Sequence, residues 1–544
     1  MSRSDGARDA SGDSVLNEHN EQVTDNALRQ SAPRSAEAAF RRLGEGKILW
    51  FLLVLALVSH AANMFGYPLY LGDEGIYTEQ AWAVLRLGKL APYTYFYDHA
   101  PGGWLLLAAW TMLLPKSFGT FGMAINSGRV LMLILNLISV VLLFRVTVAL
   151  SGSVLAALFA TLMFALSPLS VYYQRMVMLD NIMVFWLLLS LYLLLYNGSR
   201  LTTVLGSGAT FGAAMLTKEN AVFFLPVMAY LLLKTVRAVH IRRFATTGWA
   251  FVMVLVVSIY PLFALLKSEL FPSEFGFLLS STPTEHVSLI GTIGWQLQRS
   301  GGGILDPYSQ FWRFFWTKWW AKDSVIIVAG LGSAAINLML GYLLRRWELI
   351  VTSLLCFSFG IYLARGSVML EFYVIPIIPF LAMNFGTLVA LAMGRMRALF
   401  AVPVLVAAAL LMVGVFVYTA RDHYLINLTR LQIQQLDWIR ANVPTSAVLV
   451  VDDDLWVDLH EPGNGNPIYP RAHSHWKVAQ DPAVQVQALK NDWRQVDYMV
   501  MSDDLLNSFY EENETLPLEI YANSRMVAAF ADGDVQLEVR KVVK

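Results

Sequence analysis

The chain has 544 residues, 40 of them basic and 40 acidic, so its formal net charge is zero. Apolar residues make up 56% and charged residues 15%, where soluble domains average about 25% charged. That balance excludes a string of soluble domains, and the long uncharged apolar runs define a polytopic membrane protein. The single cysteine, Cys356, excludes a disulfide framework and a cysteine-based metal site.

In chain order, residues 1–46 read as a disordered cytoplasmic leader, too long and too polar for a signal peptide. Eleven spans are expected at 47–66, 127–149, 153–173, 181–197, 202–217, 220–236, 246–266, 324–344, 348–365, 370–392 and 398–419. The apolar run 102–114 is too short to cross and reads as an interfacial or re-entrant helix. With the N-terminus inside, basic residues such as Arg41, Arg42, Arg145, Arg242, Arg243, Arg345 and Arg346 gather at the inner ends. The positive-inside rule therefore favours eleven spans.

The expected domains are the leader, a transmembrane catalytic domain over 47–419 and a C-terminal domain over 420–544. The catalytic domain has two large outer loops, 67–126 and 267–323. Stretch 308–320 holds eight aromatics in thirteen residues and reads as an interfacial helix. Gly301-Gly-Gly303 reads as a flexible hinge, and Gly206, Gly208 and Gly212 as close helix packing. In the C-terminal domain, 428–443 has the pattern of an amphipathic helix, while 447–451 and 498–501 resemble strands. With 533–543 these suggest a small extracytoplasmic α/β unit. Asp452-Asp-Asp454 reads as a solvated strand end. The three parts carry net charges of −2, +10 and −8, so the neutrality is a cancellation.

Ionisable residues at membrane depth are costly and mark function. On the eleven-span topology they gather on the outer face: Asp73, Glu74, Asp98, His99, Arg129, Arg175, Asp180, Lys218, Glu219, Arg365, Glu371 and Tyr373. Carboxylates can supply a general base, and cations at the same level can hold a phosphate leaving group. That combination, opening towards lipid, suits transfer from a lipid-linked phosphate donor. A transporter or flippase, or a non-catalytic scaffold binding a lipid-linked saccharide, is the alternative.

Five motifs sharpen this reading. They are Leu71-Gly-Asp-Glu-Gly-Ile-Tyr77, Tyr97-Asp-His-Ala-Pro-Gly-Gly-Trp104, Arg175-Met-Val-Met-Leu-Asp180, Leu216-Thr-Lys-Glu-Asn220 and Phe372-Tyr-Val-Ile-Pro-Ile-Ile-Pro379. In this order they resemble the GT-C glycosyltransferases, in particular the protein O-mannosyltransferase and aminoarabinose-transferase branch. The resemblance implies an all-α membrane bundle, a polyprenyl-phosphate sugar donor and inverting transfer to a hydroxyl of a glycan, lipid or protein acceptor. It implies Asp73 as general base with Glu74 orienting the acceptor. Arg175, Lys218, Arg129 and His99 would meet the donor phosphate, with Asp98, Asp180, Glu219, Glu371 and Tyr373 supporting the site. His99 stands where the branch has lysine, and Glu219, where it has glycine, is expected to pair with Lys218. No metal, cofactor or nucleic-acid partner is expected, and the setting is a bacterial plasma membrane.

Overall fold

The computed structural model describes residues 35–544, apart from 96, 198–199, 237–238, 273–287, 463–464, 482 and 534. Each of the eleven expected spans falls on helix. Among the described residues, six helices are long and apolar enough to cross a membrane singly, or up to eight if each of two bent pairs is one span. Leu201–Thr217 and Trp347–Leu363 are shorter, and the sixth expected span divides into Glu219–Phe224 and Leu225–Thr235. The chain is thus a multi-pass membrane protein.

The leader differs from expectation where it is described, because Ala36–Leu43 is a helix bent 78° from Glu45–Ala61. Ser35 caps it by accepting from the Ala38 amide. Its Glu37 carboxylate accepts from the Ser153 hydroxyl at 2.6 Å and the Val154 amide at 2.9 Å. An acid at the N-terminus of Val154–Leu166 meets that helix's positive end, so this segment is tied to the bundle.

Pro168 breaks the next span. With Pro168 at the first position of Pro168–Gln174 and Ser167 capping it, the pair bends 61°. Within the bundle, polar glue comes from amides: Asn337 donates to the Asn384 carbonyl at 2.9 Å, and Ser353 donates to the Asn384 side chain at 3.3 Å. A Cβ on Gly208 would lie 2.5 Å from the Trp249 carbonyl oxygen, so Leu201–Thr217 packs backbone to backbone on Val239–Val257.

Stretch 308–320 falls on helix, as expected. It is helical from Gln310 onward and leads towards Leu343, with extended backbone at Asp323 kinking it apart from the apolar helix that follows. The glycine triple is not a free hinge: the Gly301 amide donates to the Gly366 carbonyl at 2.9 Å, docking it on the outer hairpin.

Helix Gly102–Met112, of 11 residues, is about 16 Å long and cannot cross a bilayer. Its two leading glycines press it onto the bundle. Side chains there would collide with the Leu216 carbonyl at 2.7 Å and the Leu179 side chain at 2.3 Å.

The C-terminal domain is a five-stranded sheet of β1 Leu449–Val451, β2 Ala472–Ser474, β3 Tyr498–Ser502, β4 Ser524–Asp532 and β5 Val535–Val542, ordered β2-β1-β3-β5-β4. β1 runs parallel to β2 and β3, while β5 runs antiparallel to β3 and β4. The sheet domain is welded to the first outer loop. Gln432 exchanges two 2.9 Å hydrogen bonds with the Tyr70 backbone, Asp458 accepts from the Ala124 amide at 3.0 Å, and Glu461 pairs with Arg86.

Candidate active site

The site is organised by helix Gly72–Leu87. It starts after extended Leu71, carries Asp73 and Glu74 in its first turn and ends at Gly88 in left-handed conformation. Acids in the first turn complement the helix dipole, but the two carboxylates have opposite fates.

Glu74 points inward and is fully buried against Arg129, with Nη2–Oε1 at 2.6 Å and Nε–Oε2 at 3.0 Å. Its oxygens also accept from the Leu71 amide at 3.3 Å and the Val177 amide at 2.9 Å. Arg129 spends its remaining donors on the carbonyls of Met64, Pro68 and Leu69. The sequence expectations of an acceptor-orienting Glu74 and a phosphate-binding Arg129 are therefore corrected. Each saturates the other, and the pair fixes the loop.

Arg175 is likewise committed. Its terminal nitrogens donate to the carbonyls of Ser59 at 2.6 Å, Ala62 at 2.8 Å, His423 at 3.0 Å and Tyr67 at 3.4 Å. Four carbonyls and near-complete burial make Arg175 a tie between the end of Glu45–Ala61 and the segment before the C-terminal domain. This replaces its expected contact with donor phosphate.

Asp73, by contrast, is half-buried and open on one side. The Tyr77 hydroxyl lies 3.5 Å from its Oδ1. Burial pushes its carboxyl up to about 6, a rise eased by Lys218 and His99 and reinforced by Asp98 and Asp180. Both cations in that field are paired elsewhere. Lys218 lies 2.5 Å from Asp180, under the rings of Phe372 and Tyr373 at 5.0 and 4.7 Å. His99 Nδ1 is 3.5 Å from Glu219. Burial opposes the charged imidazole, yet Glu219 and Asp98 together raise His99 above its ordinary value.

The expected Lys218–Glu219 pair is thus corrected. Glu219 turns to His99 and to the Ala100 amide, and Asp180 takes the lysine. Asp98 accepts from the His99 amide at 2.9 Å. The structure therefore gathers Asp73, Asp98, His99, Asp180, Lys218, Glu219 and Tyr373. Glu371 stands apart from them, paired with Lys318 at 2.9 Å.

Of two further cations, the sequence reading places Arg365 on the outer face without a role and misses Lys322. Arg365 is exposed, stacked over Tyr362 at 3.7 Å, and Tyr373 lies within electrostatic reach of both Arg365 and Asp73. Lys322 sits 4.0 Å over the ring of Tyr172. Neither is matched by a carboxylate at ion-pair distance among the described residues. Lys322 carries no signal in sequence, because it sits at the start of an apolar helix beside Asp323.

Asp452–Asp454 is also corrected. Asp453 and Asp454 are buried, because a glycine at position 75 lets their backbone approach the carboxylate helix. A Cβ on Gly75 would lie 2.2 Å from the Asp453 carbonyl.

The fold these elements build is shared with solved structures of known proteins. Residues 98–262 match the family described as dolichyl-phosphate-mannose-protein mannosyltransferase. ArnT from Cupriavidus metallidurans in the apo state superposes with a TM-score of 0.56 at 15% identity, covering 91% of this chain and 97% of that one. The same protein bound to undecaprenyl phosphate gives 0.55 at 14%, with the same coverage. The apo oligosaccharyltransferase of Archaeoglobus fulgidus gives 0.55 at 11%, covering 87% and 71%. No curated protein matches the sequence.

Proposed function

We propose that the chain is a glycosyltransferase that moves a sugar from a polyprenyl-phosphate donor to an acceptor hydroxyl on the extracytoplasmic face. The observation that carries this is Asp73, an open carboxylate raised to about 6 within reach of Lys218 and His99, set in this fold. At neutral pH such a group is mostly ionised yet basic enough to take a proton.

The acceptor O–H gives its proton to Asp73 as its oxygen bonds to the anomeric carbon. The bond from that carbon to the phosphate oxygen breaks, and the lipid phosphate leaves with the electron pair, inverting the centre. Arg365 is exposed, though its terminal nitrogens reach the Tyr362 and Val368 carbonyls, and Lys322 lies in the field of Glu371. Without a carboxylate at ion-pair distance among the described residues, these are the cations proposed to meet the leaving phosphate, where pre-placed donors stabilise developing charge. His99, held by Glu219 and Asp98, adds a third. Lys218, tied to Asp180, sets the field around Asp73 instead. The residues supply base and phosphate clamp without calling on a metal in the transfer itself. ArnT, one of the similar structures, binds undecaprenyl phosphate, which supports a lipid-phosphate donor. A plasma-membrane location with the N-terminus inside and the sheet domain outside completes the reading.

The test is transfer by the purified chain in liposomes from an undecaprenyl-phosphate sugar, comparing wild type with Asp73→Asn. Loss of about 10²-fold or more in the variant is expected for a general base. Donor binding with no turnover by the wild type, across sugars and acceptors, would instead favour the flippase or scaffold reading.

A further inference from the structure

The junction between the carboxylate helix and the C-terminal sheet holds a cluster that the transfer reaction does not use. Asp452 and Asp453 follow β1, and His475 follows β2. Because these strands are parallel neighbours, with Val451 paired to Ser474, the residues just beyond their ends come together. One ligand atom from each of the three lies within 4.8 Å of the others.

The polar accounting there is incomplete. Asp453 is 1% exposed, and its Oδ1 accepts from Ser474 and from the Trp476 indole at 3.1 Å. Its Oδ2 has no hydrogen-bond donor, and neither has His475 Nδ1, 3.5 Å away. In the tautomer whose proton sits on Nε2, His475 Nδ1 offers that carboxylate only a lone pair. Two acceptors facing each other in a buried site repel unless a proton or a cation lies between them.

The neighbours make the deficit larger. Glu79, 2% exposed, receives the Ser474 hydroxyl at 3.0 Å on Oε2, while its Oε1 is unpartnered. A hydroxyl has one proton and cannot satisfy both Glu79 and Asp453. Asp452, Asp454 and Glu79 lie within electrostatic reach of Asp453, and so does the cation Lys477.

We propose that Asp452, Asp453 and His475 bind a divalent transition-metal ion, of which Zn2+ is the best fit. Zinc bonds to oxygen and nitrogen of about 2.0–2.2 Å in tetrahedral array place ligand atoms about 3.4 Å apart, close to the 3.5 Å between Asp453 Oδ2 and His475 Nδ1. One imidazole with carboxylates suits zinc or manganese better than calcium, which takes oxygen alone. The carbonyl of Val451 interacts with the His475 ring, the kind of backbone partner that orients a metal-bound histidine. Asp452 and His475 are only half-buried, which leaves an entry path and a fourth position for water.

The ion would be structural with respect to transfer and would secure the base. A Cβ on Gly72, the residue before Asp73, would lie 3.4 Å from Asp452 Oδ1 and 3.9 Å from Asp453 Oδ2. The ion would therefore pin the sheet domain against the start of the carboxylate helix.

The test uses the full chain, free of any tag, purified in detergent, loaded with Zn2+ alone, desalted and assayed by elemental analysis. The expected result is about one zinc per chain, with Co2+ in its place giving the visible absorption of a tetrahedral centre. His475→Ala and Asp452→Asn should each weaken binding at least about tenfold, whereas His473→Ala, outside the cluster, should bind as wild type. Since Asp453 is buried and its variants risk misfolding, the half-buried pair carries the test, with the melting temperature as a check on folding. Folded wild type that retains no Zn2+, Mn2+ or Co2+ overturns the proposal. So does zinc retained equally by wild type and His475→Ala.

Discussion

Glu74 and Arg129 form a closed, fully buried ion pair, 2.6 Å between Oε1 and Nη2, one residue away from the open carboxylate of Asp73. Adjacent positions on a helix point about 100° apart. That turn alone sends Glu74 into the core and leaves Asp73 at the surface of the site. The two acids of one motif thereby divide into an anchor and a base.

That division predicts different losses. Glu74→Gln leaves a buried guanidinium without its countercharge, which costs about 3–5 kcal/mol. The melting temperature in detergent should fall steeply, with activity lost alongside. Asp73→Asn should fold at least as well as wild type. Its folded carboxyl sits above the ordinary value, so burying the ionised form costs stability that is lost as pH rises from about 4 to 6. Equal melting temperatures for Glu74→Gln and wild type would refute the anchor role.

The pH dependence follows from the same group. A base with its carboxyl at about 6 is protonated below that point, so kcat/KM should fall in acid with a midpoint near 6. Lys218 lowers that value. Lys218→Met should move the acid limb to higher pH, and Asp180→Asn, which frees the lysine's charge, should move it lower. Limbs unmoved in both variants would show that Lys218 does not tune Asp73.

Much of the bundle was legible because lipid demands long apolar runs, and each expected span falls on helix. The candidate motifs brought together residues that converge in the structure: Lys218, His99 and Asp180 all act on Asp73. Which cations are free was not legible. Sequence gives Arg129 and Arg175 charge and position, but not the carbonyls of Met64, Pro68, Ser59 and Ala62 that consume their donors. Those carbonyls come from chain ends and loops, where partners depend on tertiary packing. The docking of Asp453 on Gly75 was hidden for the same reason: one glycine among 36 carries no mark of the backbone lying against it.

Gly75 therefore offers a direct test of how the sheet domain serves the site. A methyl group there meets the Asp453 carbonyl carbon and oxygen at 2.2 Å and the Asp454 nitrogen at 2.5 Å. Backbone cannot swing aside as a flexible side chain does. Gly75→Ala should cost at least about 1–3 kcal/mol and shift the domain off the helix. Faster proteolysis within 420–544, with the membrane part intact, is the expected readout. Unchanged proteolysis would mean that the two packed surfaces are independent.

The last prediction concerns the phosphate clamp. Arg365 and Lys322 sit over tyrosine rings without a carboxylate at ion-pair distance among the described residues. Arg365 spends two donors on the neutral carbonyls of Tyr362 and Val368, so a phosphate would be the first full countercharge at contact distance for either. A charge-assisted hydrogen bond contributes about 1.5–3 kcal/mol, or about 10- to 150-fold in binding. Arg365→Ala and Lys322→Ala should each raise KM for the lipid-phosphate sugar by roughly that factor. Arg365→Lys should recover only part of the loss, because lysine cannot offer the planar fork that matches phosphate. Arg129→Lys should behave differently, lowering the amount of folded enzyme while sparing KM in the remainder, since its donors face Glu74 and carbonyls. Measuring KM and kcat separately for the three sites distinguishes clamp from scaffold. If KM stays at the wild-type value in both Arg365→Ala and Lys322→Ala, neither cation holds the donor phosphate.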